Sequence, residues 1–150
     1  MKAQELAVFV NSISNYFTVT TDETAKVGTP FLSSDIGSYI NDFTGVIRIT
    51  GNYKGSVFFS APSRMLMHCL RSLGLSTTQD SKLLDLVGEI SNTVSGNARS
   101  ELGEGFLIST PTMIQGTADG HVESELVKNY IIPIEWHMLT ANLIVNIREN

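Results

Sequence analysis

The spacing of apolar residues switches between two periods along the chain, and this switch limits the fold more than any other feature. Three segments carry apolar residues every three or four positions, the period of an amphipathic helix. The other segments carry them at every second position, the period of a strand. The order is helix, strands, two helices, strands. It predicts an α+β fold, with helices packed on a mostly antiparallel β-sheet.

The predicted elements cover most of the 150 residues, which we assign to one domain. Helices are predicted at residues 3–17, 62–74 and 78–103. Strands are predicted at residues 26–31, 43–50, 56–60, 106–115, 130–138 and 139–147, with a hairpin turn at 51–55. The alternation in 43–50 predicts a half-buried strand. Pro133 lacks an amide hydrogen, which predicts an edge strand or a bulge at that position.

The charge and the apolar pattern argue against several classes of function. The net charge is −5, and no dense stripe of lysine or arginine is present. Binding to nucleic acid or to an anionic membrane is therefore not expected. The longest apolar run, residues 6–10, is far shorter than the roughly 20 residues of a membrane-spanning helix. A single cysteine and the lack of a signal-peptide pattern predict a cytoplasmic protein.

Residues that could hold a metal or act as nucleophiles are scarce. His68, His121 and His137 are far apart, and no His-x-x-x-His pair is present. Cys69 falls on the apolar face of a predicted helix, where a packing role is expected. Phosphate-binding loops, dinucleotide fingerprints and Gly-x-Ser-x-Gly elbows are absent. The sequence predicts no metal site and no cofactor of the protein's own.

The outer face of the predicted helix 78–103 is unusual. At about 100° per residue, Asp85, Gly88, Glu89, Asn92 and Gly96 all fall opposite the apolar stripe. Each glycine costs about 1 kcal/mol relative to alanine inside a helix, so we expect something to approach the backbone there. Two interpretations remain open. The glycines allow packing against a neighbouring helix, or the face is a docking surface that presents an acid and an amide to a partner.

The side chain of Asn92 suits one kind of chemistry in particular. A neutral carboxamide is a poor base and a poor nucleophile, but it can hold a water molecule by donating and accepting hydrogen bonds. Phosphoryl transfer is a reaction in which the position of the water matters more than its deprotonation. An amide on a bare helix would then serve a partner that already carries the phosphate and the metal.

Residues 86–99, with the sequence LVGEISNTVSGNAR, resemble the chemotaxis phosphatases of the CheC, CheX and flagellar switch phosphatase group, and the CheX branch most closely. Glu89 and Asn92 match the Glu-x-x-Asn signature of this group. Segments 27–31, 44–47 and 110–112 are also similar, and the resemblance covers nearly the whole chain. CheC-type members carry a second signature on the first helix. Here Glu5 has Val8 three residues later instead of asparagine, which predicts a single site.

The resemblance implies a CheC-like fold and hydrolysis of the aspartyl phosphate of a CheY-type receiver domain. The receiver would supply the phosphoaspartate, a divalent ion such as Mg²⁺, and a lysine. Asn92 would orient the attacking water and Glu89 would pair with the lysine, within a partner-binding face that includes Asp85, Gly88 and Gly96. A homodimer joined through sheet edges, with one site per subunit, is also implied.

Two alternatives to the phosphatase remain open at this point. A non-catalytic module of the same fold would bind a receiver or a flagellar switch component without hydrolysing anything. A small-ligand sensor would bind its ligand in the crevice between sheet and helices, and the Glu89–Asn92 pair would then be incidental.

Overall fold

The structure, a computed structural model, describes residues 1–116 and 128–150. Its helices are α1 (Ala3–Thr21), α2 (Ser63–Ser72) and α3 (Asp80–Leu102), with a 3₁₀ helix at Ile36–Tyr39. The strands are β1 (Lys26–Val27), β2 (Phe31–Ser33), β3 (Phe43–Gly51), β4 (Tyr53–Ala61), β5 (Phe106–Ile108), β6 (Thr112–Gln115), β7 (Asn129–Trp136) and β8 (Leu139–Glu149). Within these two ranges no helix is long and apolar enough to cross a membrane.

The strands form one sheet, in the order β1-β7-β8-β4-β3-β5. Beside this path, β2 also pairs with β7, and β6 also pairs with β3. Every pairing between described strands is antiparallel. The three α-helices contribute to one large core with this sheet. The α+β architecture predicted from the apolar pattern is therefore confirmed.

Strand β3 is buried on both faces at its start, and the predicted half-buried strand is wrong there. Phe43 and Ile47 belong to the main core beneath the helices. Val46 points to the opposite face, into a second cluster that includes Ile36 and Phe58. The 3₁₀ helix supplies Ile36 and so covers the outer face of the sheet. Its four residues are too short a segment for a recognisable apolar period.

Helix α3 lies directly on β3 because residue 45 has no side chain. A Cβ atom on Gly45 would overlap Ser91 Oγ and come within 2.6 Å of the Val87 carbonyl oxygen. Ser91 Oγ instead donates a hydrogen bond to that carbonyl, at 2.8 Å. At the start of the helix, Gln115 Nε2 on β6 donates to the Asp80 carboxylate, also at 2.8 Å. These contacts with the sheet set the distance of α3 from the sheet and its orientation.

Pro133 lies on an internal strand, so the predicted edge strand is wrong, but the alternative prediction of a bulge is confirmed. Val27 pairs with Ile134 and Phe31 pairs with Ile131, so the three residues 28–30 lie opposite the two residues 132–133. Strand β7 has β8 on one side and β1 and β2 on the other. The Pro133 carbonyl accepts a hydrogen bond of 2.8 Å from the Gly28 amide, on the β1 side. In an antiparallel pair the N and O atoms of one residue face the same neighbour. The missing donor of Pro133 therefore faces residues 28–30, where β1 has ended and β2 has not begun.

Two stacked imidazole rings connect α2 to the turn between β7 and β8. The rings of His68 and His137 have centroids 5.0 Å apart and an interplanar angle of 17°. His137 Nε2 also lies 3.1 Å from a carboxylate oxygen of Glu23. Desolvation by burial lowers the pKa of His68, and His137, Arg71 and Arg64 lower it further. The neutral form of His68 is therefore the one that the fold favours.

We expect stability to fall between pH 7.5 and pH 5.5, in part because of His68. The unfolded chain takes up a proton on this residue at an ordinary pKa of about 6.5, before the folded chain does. Acidification thus favours unfolding. Urea unfolding at both pH values checks this, with His68→Gln as the comparison because glutamine stays neutral. An equal loss of stability in the variant would contradict the assignment.

Candidate functional site

Glu89 and Asn92 lie side by side on the exposed face of α3. Their spacing of three residues places them on one face of the helix, and both side chains are exposed. In the part of the chain that the structure describes, neither makes a hydrogen bond or an ion pair. The opposite face is buried, which confirms the predicted stripe of Leu83, Leu86, Val87, Ile90, Val94 and Ala98. The acid and the amide are held on a fixed helix and face outward.

An open groove of about 370 Å³ runs beside this pair. One wall is the face of α3, with Asp85, Gly88, Glu89 and Asn92. The other wall is formed by Thr110 and Pro111, between β5 and β6, and by Met113 on β6. The second wall is bonded to the sheet. Arg48 and Ser109 exchange two hydrogen bonds, of 2.9 Å to the Ser109 hydroxyl and 3.0 Å between backbone atoms. Both walls of the groove are therefore built on the sheet.

The two glycines of α3 have different surroundings, and only one of them is open. Gly88 is buried, and a Cβ atom there would come within 2.8 Å of Met113 Sδ. Gly88 lies on the predicted face, since it lines the groove with Glu89 and Asn92, but that face is not bare there because Met113 reaches over the helix from β6. The close neighbour is a strand residue and not a second helix. Gly96 has no atom within 4 Å of the position of its Cβ, so the outer surface of α3 is bare there.

The groove carries negative charge at the end near the start of α3. Asp85 is exposed and precedes Glu89 by four residues, so the two carboxylates lie on successive turns of one face. No cation pairs with either of them among residues 1–116 and 128–150. A partner that places a cation at this end would gain charge pairing and would fix its own orientation.

Two buried ionisable groups, Tyr16 and Cys69, do not take part in proton transfer near neutral pH. Burial raises the pKa of Tyr16 to about 12, with contributions from Cys69 and Glu89. Burial also raises the pKa of Cys69 to about 12. The thiol therefore stays protonated and unreactive, and the packing role predicted for Cys69 is confirmed. The chemistry available at the surface is that of an amide and two carboxylates.

Glu5 has a local structural role on α1. It is buried, and one of its carboxylate oxygens accepts a hydrogen bond of 2.8 Å from the Lys2 amide, which caps the start of the helix. The Glu5 carboxylate is therefore not exposed for contact with a partner, whereas that of Glu89 is. Of the three histidines, His121 lies outside the described residues. No group of three or more His, Cys, Asp or Glu side chains within the described ranges is arranged to hold a metal ion.

The family model described as chemotaxis phosphatase CheX matches residues 43–135. The chain belongs to the CheX family. The match includes the whole of α3 and the second wall of the groove, so both sides of the candidate site lie within the CheX region. No curated protein matches the chain.

Solved structures of CheC-like and CheX proteins share the fold of this CheX-family chain. A chemotactic CheC-like protein from Shewanella oneidensis MR-1 is 26% identical with a TM-score of 0.84, over 99% of this chain and 100% of that one. A CheC-like superfamily protein from Shewanella sp. PV-4 is 25% identical with a TM-score of 0.85, over 99% of both chains. CheX from Borrelia burgdorferi, solved in complex with CheY, BeF₃ and Mg²⁺, is 18% identical with a TM-score of 0.79, over 99% of this chain and 100% of that one.

Sequence reasoning on this CheX-family chain missed the apolar wall of the groove. Met113 and Pro111 lie in a segment with no helical period, and the register that sets Met113 opposite Gly45 cannot be read from spacing alone. One signal was available. A glycine inside a helix implies a close neighbour, and a long flexible side chain from a strand is such a neighbour.

Proposed function

We propose that the chain hydrolyses the aspartyl phosphate of a CheY-type receiver domain. The observation that carries this proposal is the exposed, unpaired Glu89–Asn92 pair, held on a fixed helix beside an open groove. Two comparisons support it. The family is described as a chemotaxis phosphatase, and CheX of Borrelia burgdorferi forms a complex with CheY, BeF₃ and Mg²⁺.

In this proposal Asn92 positions the water that attacks phosphorus. Its carbonyl oxygen accepts a hydrogen bond from the water, and its amide group is free to donate to a phosphoryl oxygen. The water oxygen forms a bond to phosphorus as the bond to the aspartyl oxygen breaks, and the water protons remain with the released phosphate. The aspartate leaves as a carboxylate and needs no proton, because its ordinary pKa is about 3.9. The divalent ion that neutralises charge would be the receiver's own.

Glu89 acts in docking rather than in the chemical step. Together with Asp85 it makes one end of the groove negative, which suits the lysine that a receiver would present. A charge pair that forms as two surfaces meet fixes their register and slows dissociation. Glu89 would therefore set the position in which Asn92 reaches the phosphoryl group.

Glu89→Ala is expected to weaken receiver binding by about 30-fold, or roughly 2 kcal/mol, and to leave kcat at saturation nearly unchanged. Calorimetric titration of a BeF₃-loaded receiver gives the affinity, and phosphate release gives kcat. Glu101→Ala is the matched control, because Glu101 is exposed on the same helix but lies outside the groove. Equal affinity of the Glu89 variant and the wild type would contradict the docking role of Glu89.

The proposal is tested by phosphate loss from purified phosphorylated receivers. The chain is added to each CheY-like protein of its own organism, and the rate of phosphate release is compared with spontaneous hydrolysis. Acceleration of at least one receiver is expected. Tight binding without acceleration would favour the non-catalytic module of the same fold. Saturable binding of a metabolite in the crevice between sheet and helices, with no receiver bound, would favour the ligand sensor.

A homodimer through sheet edges is part of the proposal, and the groove limits which edge would form it. β5 and β6 form the edge next to the groove, whereas β1 and β2 lie at the other end of the sheet. Joining two copies through β1 and β2 leaves both grooves open. That edge also carries two exposed apolar residues, Phe31 and Leu32. The cytoplasmic location stays a prediction from the sequence.

A further inference from the structure

Met113 is an exposed apolar residue placed directly against the backbone of α3. It lies on β6, opposite Gly45 of β3, and 39% of its surface is exposed. Its Sδ and Cγ atoms lie 2.8 and 2.9 Å from the position that a Cβ atom on Gly88 would occupy. Gly88 immediately precedes Glu89 and lies one turn before Asn92. The thioether therefore reaches the edge of the Glu89–Asn92 pair, and the absence of a side chain on Gly88 makes room for it.

The two walls of the groove differ in chemical character. The α3 wall carries the carboxylates of Asp85 and Glu89, and the facing wall carries the apolar side chains of Pro111 and Met113. A partner that fits both walls must present a cation and an apolar side chain close together. Methionine suits the apolar contact because its flexible, polarisable side chain adapts to neighbours of different shape.

We propose that Met113 is a specificity-determining residue of the receiver interface. When a receiver docks with its lysine on Glu89, an aliphatic side chain next to that lysine enters the groove and packs on Met113 and Pro111. This inference rests on the proposed function, since it assigns the second half of the same interface. It predicts that receivers with a polar residue at that position bind this chain weakly.

The test compares two substitutions of similar length. Met113→Gln keeps the shape that covers Gly88 but removes the apolar contact, and it is expected to raise both Kd for a BeF₃-loaded receiver and KM for hydrolysis by about fivefold to twentyfold. kcat at saturating receiver is expected to stay within about twofold of wild type, because contacts made equally in the ground and transition states change only KM. Met113→Leu is expected to retain wild-type affinity, because leucine keeps an apolar side chain at this position.

Leu107→Gln is the matched control. Leu107 is a similarly exposed apolar residue, on β5 at the same edge of the sheet, but it does not line the groove. Its substitution is expected to leave receiver affinity unchanged. Thermal unfolding of each variant shows whether the fold is intact.

Three outcomes would overturn the inference. Wild-type affinity of folded Met113→Gln, with hydrolysis still lost in Asn92→Ala, rejects the Met113 contact and leaves the proposed function standing. A lowered kcat at unchanged Kd means that Met113 acts only by supporting α3. Failure of the wild-type chain to bind any receiver rejects both the contact and the proposed function.

Discussion

Asn92→Ala is expected to lower kcat for receiver dephosphorylation by about 10²–10³-fold and to change receiver affinity little. A preorganised polar group at a reacting centre is worth roughly 2.7–4 kcal/mol of transition-state stabilisation. Asn92 is already held on a helix fixed to the sheet, so only its side chain has to be ordered before reaction. Without the amide, the water must be captured in the right position by chance. Phosphate release under single-turnover conditions measures this loss.

The matched control is Asn97→Ala. Asn97 carries the same amide on the same helix, but it faces the groove between α1 and α3. Its loss is expected to leave hydrolysis at the wild-type rate. A folded Asn92→Ala protein that dephosphorylates its receiver as fast as the wild type would refute the role given to Asn92, and with it the proposed mechanism.

Gly96→Leu is expected to raise Kd for the receiver at least tenfold although Glu89 and Asn92 are untouched. The surface around Gly96 is empty within 4 Å, so a leucine fits this chain without internal collision. Its side chain instead projects one turn beyond Asn92, where the proposed receiver would bind. An apolar bulge on a docking surface separates the groups on either side of it, and loss of close packing at an interface lowers affinity.

Gly96→Ala separates steric obstruction from the effect of glycine on the helix. Alanine adds only a methyl group and is expected to make α3 more stable by about 1 kcal/mol, with little loss of affinity. Both variants are compared by calorimetric titration and by urea unfolding. Wild-type affinity of Gly96→Leu would mean that the partner does not cover this part of the helix.

The helix face was predictable because its period is local. The positions of Glu89 and Asn92 opposite the buried stripe follow from 3.6 residues per turn, and the structure places both on the exposed side. The ends of elements were less accurate. Helix α1 continues to Thr21, whose hydroxyl donates to the Phe17 carbonyl at 2.6 Å, and it ends where Asp22 takes a left-handed conformation with φ of 59°. The one apolar residue of that last turn, Val19, is exposed and lies off the buried face, so the apolar period ends at Phe17.

The environment of Gly88 was not predictable, since it depends on a contact between residues distant in the chain. A helical wheel separates the buried face of a helix from its exposed face, but it does not show which strand packs beside the helix. The register of β6 on β3 brings Met113 over Gly88. The predicted bulge at Pro133 is present, but the internal position of its strand was not predictable, for the same reason. The missing donor of Pro133 is harmless because of a break in a strand more than a hundred residues earlier in the chain.

The contact between Gly45 and the first half of α3 seats the helix closely on the sheet, with no room for a side chain between them. The exposed side chains of Glu89 and Asn92, which make no hydrogen bond or ion pair within the described residues, are then the groups of this surface freest to adjust at docking. The site thus combines a closely seated helix with two exposed, unpaired side chains. Discrimination between partners would then depend on how little each partner has to deform to fit this surface.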